Sequence, residues 1–336
     1  MTEISTSSLR RWVTRLAGQC VLVVGDIILD EYLIGRAARL SREAPIPVLE
    51  FETRVLIPGG AANPAANIAA LGSKAIQIGV IGADAEATSL RQVLQARGIE
   101  TTSLVIDGGR ATTVKTRVMA QMGLRFPQQV ARLDRVDRTP LSEAIERAVR
   151  AMIVERIDTA GAVLLSDYHI ALLTPSLVTA VRQLCEARTC LLAADAQGDL
   201  DKYTGFGLVK CNADEAQTFL RRPLRSHADF AAAASELCSR LALTRCMAIT
   251  RGADGVTIAT PDGRSTHCPA PATSEVYDTV GAGDTAVAVM TLALAAGAEP
   301  VEAAALANTA SGLVVRRVGN YAPTPDELAE ALDADR

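Results

Sequence analysis

Aromatic side chains are scarce, at 3% of 336 residues, with one tryptophan. Histidine is equally thin: His169, His227 and His267 stand apart, without metal-ligand spacing and without a serine elbow nearby. Each reads as a surface or packing residue, and only His169 falls beside a candidate site. The seven cysteines, at 20, 185, 190, 211, 238, 246 and 268, are odd in number and include no C-x-x-C pair. That argues against a disulfide frame or a zinc site and for reduced thiols in a cytoplasmic protein. No apolar run reaches the roughly 20 residues that span a bilayer. Ala286 to Ala298, the longest uncharged Ala-rich stretch near the C-terminus, therefore reads as a buried helix. A basic excess is also missing, since 34 Lys+Arg stand against 38 Asp+Glu, which excludes nucleic acid and anionic membrane as the natural partners. Arg10-Arg11 is no export signal, because the apolar run that follows, Cys20 to Val24, is too short. Leu9, Trp12, Val13 and Leu16 instead fall at helical spacing. Two phosphate-binding signatures are absent as well: there is no G-x-x-x-x-G-K-[ST], and no G-x-G-x-x-G follows the first strand.

What is present centres on Val276-Tyr-Asp-Thr-Val-Gly-Ala-Gly-Asp-Thr285, leading into the Ala-rich helix. Gly281, Ala282 and Gly283 have little or no side chain, so their backbone N–H groups can converge on one concavity at a helix N-terminus. That is an anion site suited to phosphate. Asp284 follows in the first turn. A carboxylate is a poor phosphate ligand, so it serves either as an ordinary cap or as the base that takes a proton from an attacking hydroxyl.

Taken in order, Cys20–Val24 is a short apolar run ending at Gly25, the pattern of a central parallel strand. Asp26 and Asp30 follow at its carboxyl end, where open α/β sheets bind ligands; Asp30 is either an acceptor for sugar hydroxyls or a turn residue. Residues 31–57 break the βαβ rhythm with two strand-like segments around the loop from Ser41 to Pro47. Thr112–Met119 and Gln128–Asp134 break it again. Two such insertions, at about 31–57 and 110–135, predict a small sheet standing off the main one as a lid, with a face suited to a homodimer. Pro58-Gly-Gly-Ala-Ala-Asn63 opens a helix that ends at Gly72, and Gly59, Gly60 and Asn63 can approach a ligand. Strands at Ile76–Ile81, Leu104–Ile106, Ala162–Ser166, Cys190–Asp195, Leu208–Lys210 and Met247–Thr250 alternate mostly with helices, which predicts an α/β class with a parallel, helix-covered sheet. No linker or repeat divides residues 1–336, so one domain is expected. Asn212 and Glu215 either order Mg²⁺-bound water and phosphate or cap a helix. Thr250-Arg-Gly-Ala-Asp-Gly255 either wraps a nucleotide or makes a plain hairpin, and Asn308 either meets a base or bonds internally.

Gly25-Asp26 with Asp30, then Pro58-Gly-Gly-Ala-Ala-Asn63 with Asn67 and Gly72, then Asn212-x-x-Glu215, then Asp278-Thr-Val-Gly-Ala-Gly-Asp284 resemble, in order, the motifs of the ribokinase-like (PfkB) carbohydrate kinases. More narrowly, G-D-I-I-L-D-E-Y, S-R-E-A-P-I-P-V, L-L-S-D-Y and E-V-Y-D-T-V-G-A-G-D are similar to the kinase domain of bacterial enzymes that phosphorylate D-glycero-β-D-manno-heptose 7-phosphate. The resemblance implies a three-layer αβα sandwich with a β lid, ATP and Mg²⁺ as cosubstrate and cofactor, and lid-to-lid dimers. It assigns Asp284 as base and Gly281–Gly283 as anion hole. Asp30, Gly59, Gly60 and Asn63 hold the sugar, while Asn212, Glu215, Thr250, Gly252, Gly255 and Asn308 line the nucleotide, Glu215 meeting Mg²⁺ through water. Some members bind a monovalent cation such as K⁺ near Asp278-Thr279.

The chain departs from the heptose enzymes at two lysines. Ser166-Asp-Tyr-His169-Ile170-Ala171 stands where S-D-Y-x-K-G is usual, and Asp195-Ala-Gln-Gly198 where D-P-K-G is usual. Lys210, just before Cys211-Asn212, resembles the K-P-N-x-x-E of phosphofructokinase-like members, and that resemblance implies a replacement for one of them beside ATP. Lys115, Arg117 and Arg132 in the lid are either cations for a phosphorylated substrate or solvated charges. A nucleotidyltransferase half with H-x-G-H is absent, so a kinase domain alone is expected. The reading is an ATP-dependent kinase acting on a sugar or sugar phosphate. A kinase for ribose, fructose phosphate or a nucleoside, and a non-catalytic binding relative, are the alternatives.

Overall fold

A computed structural model describes residues 6–121, 127–271 and 276–334. The amphipathic N-terminal spacing forms helix α1 (Thr6–Arg15), with Leu9, Trp12 and Val13 buried. Strand β1 (Cys20–Gly25) follows, and the chain then passes at Asp26 straight into a second sheet. That sheet takes β2 (Ile27–Leu40) and β3 (Pro47–Gly60), which pair antiparallel from Ile27↔Gly60 to Leu40↔Pro47. The lid strands thus reach further toward the core than residues 31–57, and Asp30, Gly59 and Gly60 lie at their root. Helix α2 (Ala62–Ala70), strand β4 (Lys74–Ile81), helix α3 (Ala85–Gln95) and the short strand β5 (Leu104–Ile106) return to the main layer. The lid is completed by β6 (Val114–Gln121), parallel to β2, and β7 (Gln128–Arg135), antiparallel to β6.

From there helices and strands alternate: α4 (Glu143–Arg156), β8 (Ala162–Ser166), α5 (Pro175–Glu186), β9 (Leu191–Asp195), β10 (Leu208–Asn212), α6 (Ala213–Leu220), α7 (His227–Arg240) and β11 (Cys246–Thr250). Two short antiparallel strands, β12 (Val256–Ala259) and β13 (Ser265–Cys268), close the edge. Helices α8 (Ala282–Ala295), α9 (Pro300–Val314) and α10 (Pro325–Ala334) end the chain. The nine-stranded sheet has the order β13-β12-β11-β10-β9-β8-β1-β4-β5, and the four-stranded lid has the order β3-β2-β6-β7.

Alternation along the central strands explains the layers. In β1, Val21 and Val23 point to one face and pack with α1, α2, α8 and α9, whereas Leu22 and Val24 point to the other with α4 and α5. Each such side chain stabilises the fold by about 1.5–3 kcal/mol. Helix α8 is buried from Asp284 to Leu294, as a helix apolar on every side must be. Its alanines let α2 and α9 approach closely. All seven cysteines are unpaired. Among the described residues, no helix is long and apolar enough to cross a membrane and no cluster could hold a metal through His, Cys, Asp and Glu. His227 and His267 do not stand apart as expected: their rings meet at 4.4 Å, with Arg251 Nη1 at 3.0 and 3.4 Å from the two Nδ1 atoms. The hairpin β12–β13 brings His267 over the start of α7, a proximity that sequence separation conceals.

Candidate active site

The parallel strands end on one edge. Register places Gly25 beside Ser166 and Ser166 beside Asp195, with Lys210 next to Asp195 and Asn212 next to Thr250. The residues just beyond these ends, together with the root of the lid and the first turn of α8, define the site.

Gly281 caps α8 at φ 85, a left-handed conformation that a Cβ would strain. An added Cβ would also meet Asn63 Nδ2 at 2.8 Å and Asn320 Oδ1 at 3.0 Å. The N–H groups of Ala282 and Gly283 fall in the first turn of a 14-residue helix, at its positive end, and that of Ala282 also makes a long turn bond to the Thr279 carbonyl at 3.4 Å. Lys210 Nζ lies beside this turn, 3.0 Å from where a Gly283 Cβ would stand, and pairs with Asp195 Oδ1 at 2.8 Å. Both partners are buried. Burial opposes the Lys210 charge, but Asp195 outweighs it and the ammonium is favoured.

Asp284 sits one residue further on, 8% exposed. Tyr168 Oη donates to its Oδ1 at 2.7 Å, and Asn63 Nδ2 donates to its Oδ2 at 2.7 Å. Burial, reinforced by the Asp195 charge, pushes the carboxyl up to about 6, against the two hydrogen bonds and Lys210. An acid ionised just below neutral pH is well matched to general-base work. The second turn of α2 continues the same seam, with Thr285 Oγ1 donating to Asn67 Oδ1 at 2.8 Å.

The lid root supplies the other wall. Buried Asp30 accepts from Arg117 Nη1 at 2.6 Å and from Asn320 Nδ2 at 2.9 Å. A Cβ on Gly59 would stand 2.3 Å from Asp30 Oδ2, and one on Gly60 2.4 Å from the Asp26 carbonyl, so side chains are excluded at both. Lys115 Nζ lies 5.3 Å from the centre of the Tyr168 ring, and burial depresses its ammonium. Arg132 is opposite Arg117 on β7, half-exposed and paired with Asp134 at 3.0 Å. It is the least enclosed of the three lid cations.

Residues assigned to the nucleotide lie along the ends of β10 and β11. Asn212 and Glu215 form a reciprocal capping box, at 2.9 and 2.6 Å. Thr250 Oγ1 donates to the Cys211 carbonyl at 3.3 Å. Gly252 begins a single helical turn at φ 57, and Gly255 packs where a Cβ would meet the Cys268 carbonyl at 2.2 Å. Asn308 Nδ2 donates to the carbonyls of Cys268 and Pro269, at 2.8 and 3.0 Å, so its amide is used to hold the chain after β13. Asp278 accepts from Val280 N and Gly319 N, both at 3.0 Å, and so ties the Thr279 loop to the segment after α9.

Three site residues escaped sequence reasoning: Tyr168, Asp195 and Asn320. Tyr168 is held by Asp26, whose buried carboxylate accepts from the amides of Tyr168, Ile170 and Leu172 at 3.0, 3.0 and 3.2 Å. The signals available were its place just past the carboxyl end of β8, beside β1, and its membership of the L-L-S-D-Y motif, neither of which gave it a role. Ile170, where lysine is usual, is buried. A further cation stands nearby, with Lys202 Nζ 2.5 Å from Asp167 Oδ2.

A mostly parallel sheet, a β lid and a glycine-capped helix start next to a buried acid are the features that point to a phosphoryl-transfer class of protein. The model of the pfkB family carbohydrate kinases matches residues 19–327, and the chain belongs to that family. It is 37% identical over 312 residues to the bifunctional protein HldE of Geobacter metallireducens, covering 93% of this chain and 62% of that protein. It is 38% identical over 313 residues to HldE of Caulobacter vibrioides, covering 93% and 63%. The chain thus spans just under two thirds of these relatives. Among solved structures, Escherichia coli phosphofructokinase-2 in complex with fructose-6-phosphate superimposes with a TM-score of 0.76 at 20% identity, over 94% of this chain and 98% of that one. Arabidopsis thaliana ribokinase complexed with ribose and ATP gives 0.70 at 19%, over 94% and 99%. The fold is ribokinase-like.

Proposed function

We propose that the chain transfers the γ-phosphoryl group of ATP to a hydroxyl of a sugar phosphate, with heptose 7-phosphate the first acceptor to test. The observation that carries this reading is the buried Asp284 carboxylate, held by Tyr168 and Asn63 at the first turn of α8, between the 281–283 amides and the Asp30–Arg117 wall. Asp284 takes the hydroxyl proton, and the amides with Lys210 receive the phosphoryl oxygens. Asp30 accepts from other sugar hydroxyls, while Lys115 and Arg117 offer charge toward a substrate phosphate. Asn212, Thr250, Gly252 and Gly255 line the nucleotide.

Glu215 suits Mg²⁺ held through water: one carboxylate oxygen is engaged by the Asn212 amide at 2.6 Å, leaving the other as an acceptor. When bound, the metal neutralises charge on the phosphate oxygens. The Asp278-Thr279 loop, tied to the segment after α9 through Gly319 N, is where the family resemblance points for K⁺, so activity should respond to that ion. Residues 1–336 act as one catalytic unit. The unpaired cysteines support a cytoplasmic setting. The exposed Phe51 and Leu133 of the lid support a homodimer.

The test is ADP release with Mg-ATP across a panel of heptose 7-phosphate, fructose 6-phosphate, ribose, mannose and a nucleoside. A selective rise with heptose 7-phosphate is expected. A rise with another member corrects the acceptor, and tight sugar binding with no sugar-dependent release would replace the kinase by a binding relative.

A further inference from the structure

Two buried polar atoms near the acceptor wall have no hydrogen-bond partner among the described residues: Asn320 Oδ1 and Tyr32 Oη. Asn320 is the more telling, because its orientation is unambiguous. Its nitrogen donates to Asp30 Oδ2 at 2.9 Å and to the Pro58 carbonyl at 2.8 Å. Both partners only accept, so the nitrogen must face them and the oxygen must turn away. It turns toward Gly281, 3.0 Å from the place a Cβ would take there, and Asn63 Nδ2 lies 2.8 Å from the same place. That nitrogen is the one bonded to Asp284 Oδ2. Asn320 is 6% exposed, and its loop is pinned through Gly319 N to Asp278 at 3.0 Å.

An amide oxygen buried without a donor is unfavourable, and a protein retains one where something completes it. This oxygen accepts and cannot donate, so it repels phosphate oxygens and takes a hydroxyl. We propose that Asn320 Oδ1 accepts a hydrogen bond from a second hydroxyl of the acceptor sugar, close to the one that Asp284 deprotonates. Asn320 is then a specificity-determining residue for acceptors that carry two neighbouring free hydroxyls, a role beyond tethering Asp30. The inference rests on the sugar-kinase reading.

The experiment is a set of double-mutant cycles between protein and substrate. Wild type, Asn320→Ala and Asp30→Asn are assayed with heptose 7-phosphate and its single-deoxy derivatives, and kcat/KM is compared. One deoxy derivative should cost wild type about tenfold or more, cost Asn320→Ala nothing further, and still penalise Asp30→Asn. Additive losses at every position overturn the inference while leaving the kinase reading intact. So does coupling confined to the hydroxyl that also couples to Asp30, which would make Asn320 a positioning residue. Absence of turnover by wild type with every sugar takes down the reading and the inference together. Circular dichroism checks the fold of Asn320→Ala, and Asn320→Ser, with a shorter acceptor, carries the same cycle if the alanine variant does not fold.

Discussion

Tyr168 Oη and Asn63 Nδ2 hold the two oxygens of Asp284 from opposite partners, each at 2.7 Å. Both hydrogen bonds favour the ionised carboxylate, whereas burial and Asp195 disfavour it, and the balance leaves the group near 6. Removing one donor must therefore raise the value further. Tyr168→Phe is expected to shift the acid limb of kcat/KM upward by about one pH unit, the scale of a charge-assisted hydrogen bond. Above pH 8 the variant should recover much of its rate. A limb that stays at the wild-type pH, measured from pH 5 to 9, would remove Tyr168 from the proton-transfer apparatus.

Asp284→Asn separates chemistry from folding. Loss of the base should lower turnover by roughly 10²–10⁴ with the acceptor KM little changed. Stability should move the other way. A carboxyl whose folded value is raised is a burden when ionised, so the wild type is penalised fully above pH 6 and progressively less as pH falls toward 4. The variant should unfold at a higher temperature than wild type at pH 8, with the gap closing toward pH 4. Near-normal turnover would refute the assignment of the base.

Much of this site was legible in the sequence. The apolar run at Cys20–Val24, the small residues at 281–283 and the strand-like segments at 47–57 and 128–134 are local signals, and each became the expected element. β13 left no such signal, because Ser265-Thr-His-Cys268 is a polar edge strand with no apolar run to mark it. Tyr168 and Asn320 were missed for a different reason. Their partners lie 116 and 290 residues away in the chain, so neither spacing nor composition connects them. Asn212 and Glu215 show the limit from the other side: the pair forms a capping box, and the sequence pattern of a cap is the same whether or not a metal-bound water is also held there.

Arg117 and Asp30 form a buried pair, with side chains 11% and 5% exposed. Breaking such a pair from one side leaves an uncompensated charge and costs about 3–5 kcal/mol. Arg117→Met should therefore lower Tm sharply at pH 7, and adding Asp30→Asn should restore most of the loss. Activity should not return with stability, because Asp30 is assigned to the sugar. Thermal unfolding beside ADP release separates the two effects, and recovery of both in the double variant would make the pair merely structural.

The lid carries exposed apolar residues on both of its edge strands. Arg132 and Asp134 on β7 stand opposite Arg117 and Lys115, which face the site, so Leu133 between them must face away. It is 71% exposed, and Phe51 on the other edge strand is 68% exposed. Around them the outer face is polar: Arg54 and Thr116 both bond Glu31, at 2.5 Å. Apolar residues at the two edges, with a polar centre, suit contact with the same surface of a second copy, since an isologous interface pairs each patch with itself or its symmetry mate. Phe51→Glu with Leu133→Glu should shift a dimer to a monomer in sedimentation equilibrium at micromolar concentration. If lid closure depends on that contact, the acceptor KM should rise while the unfolding temperature of the isolated protomer barely changes. A wild type that sediments as a monomer across the same range would dispose of the lid dimer.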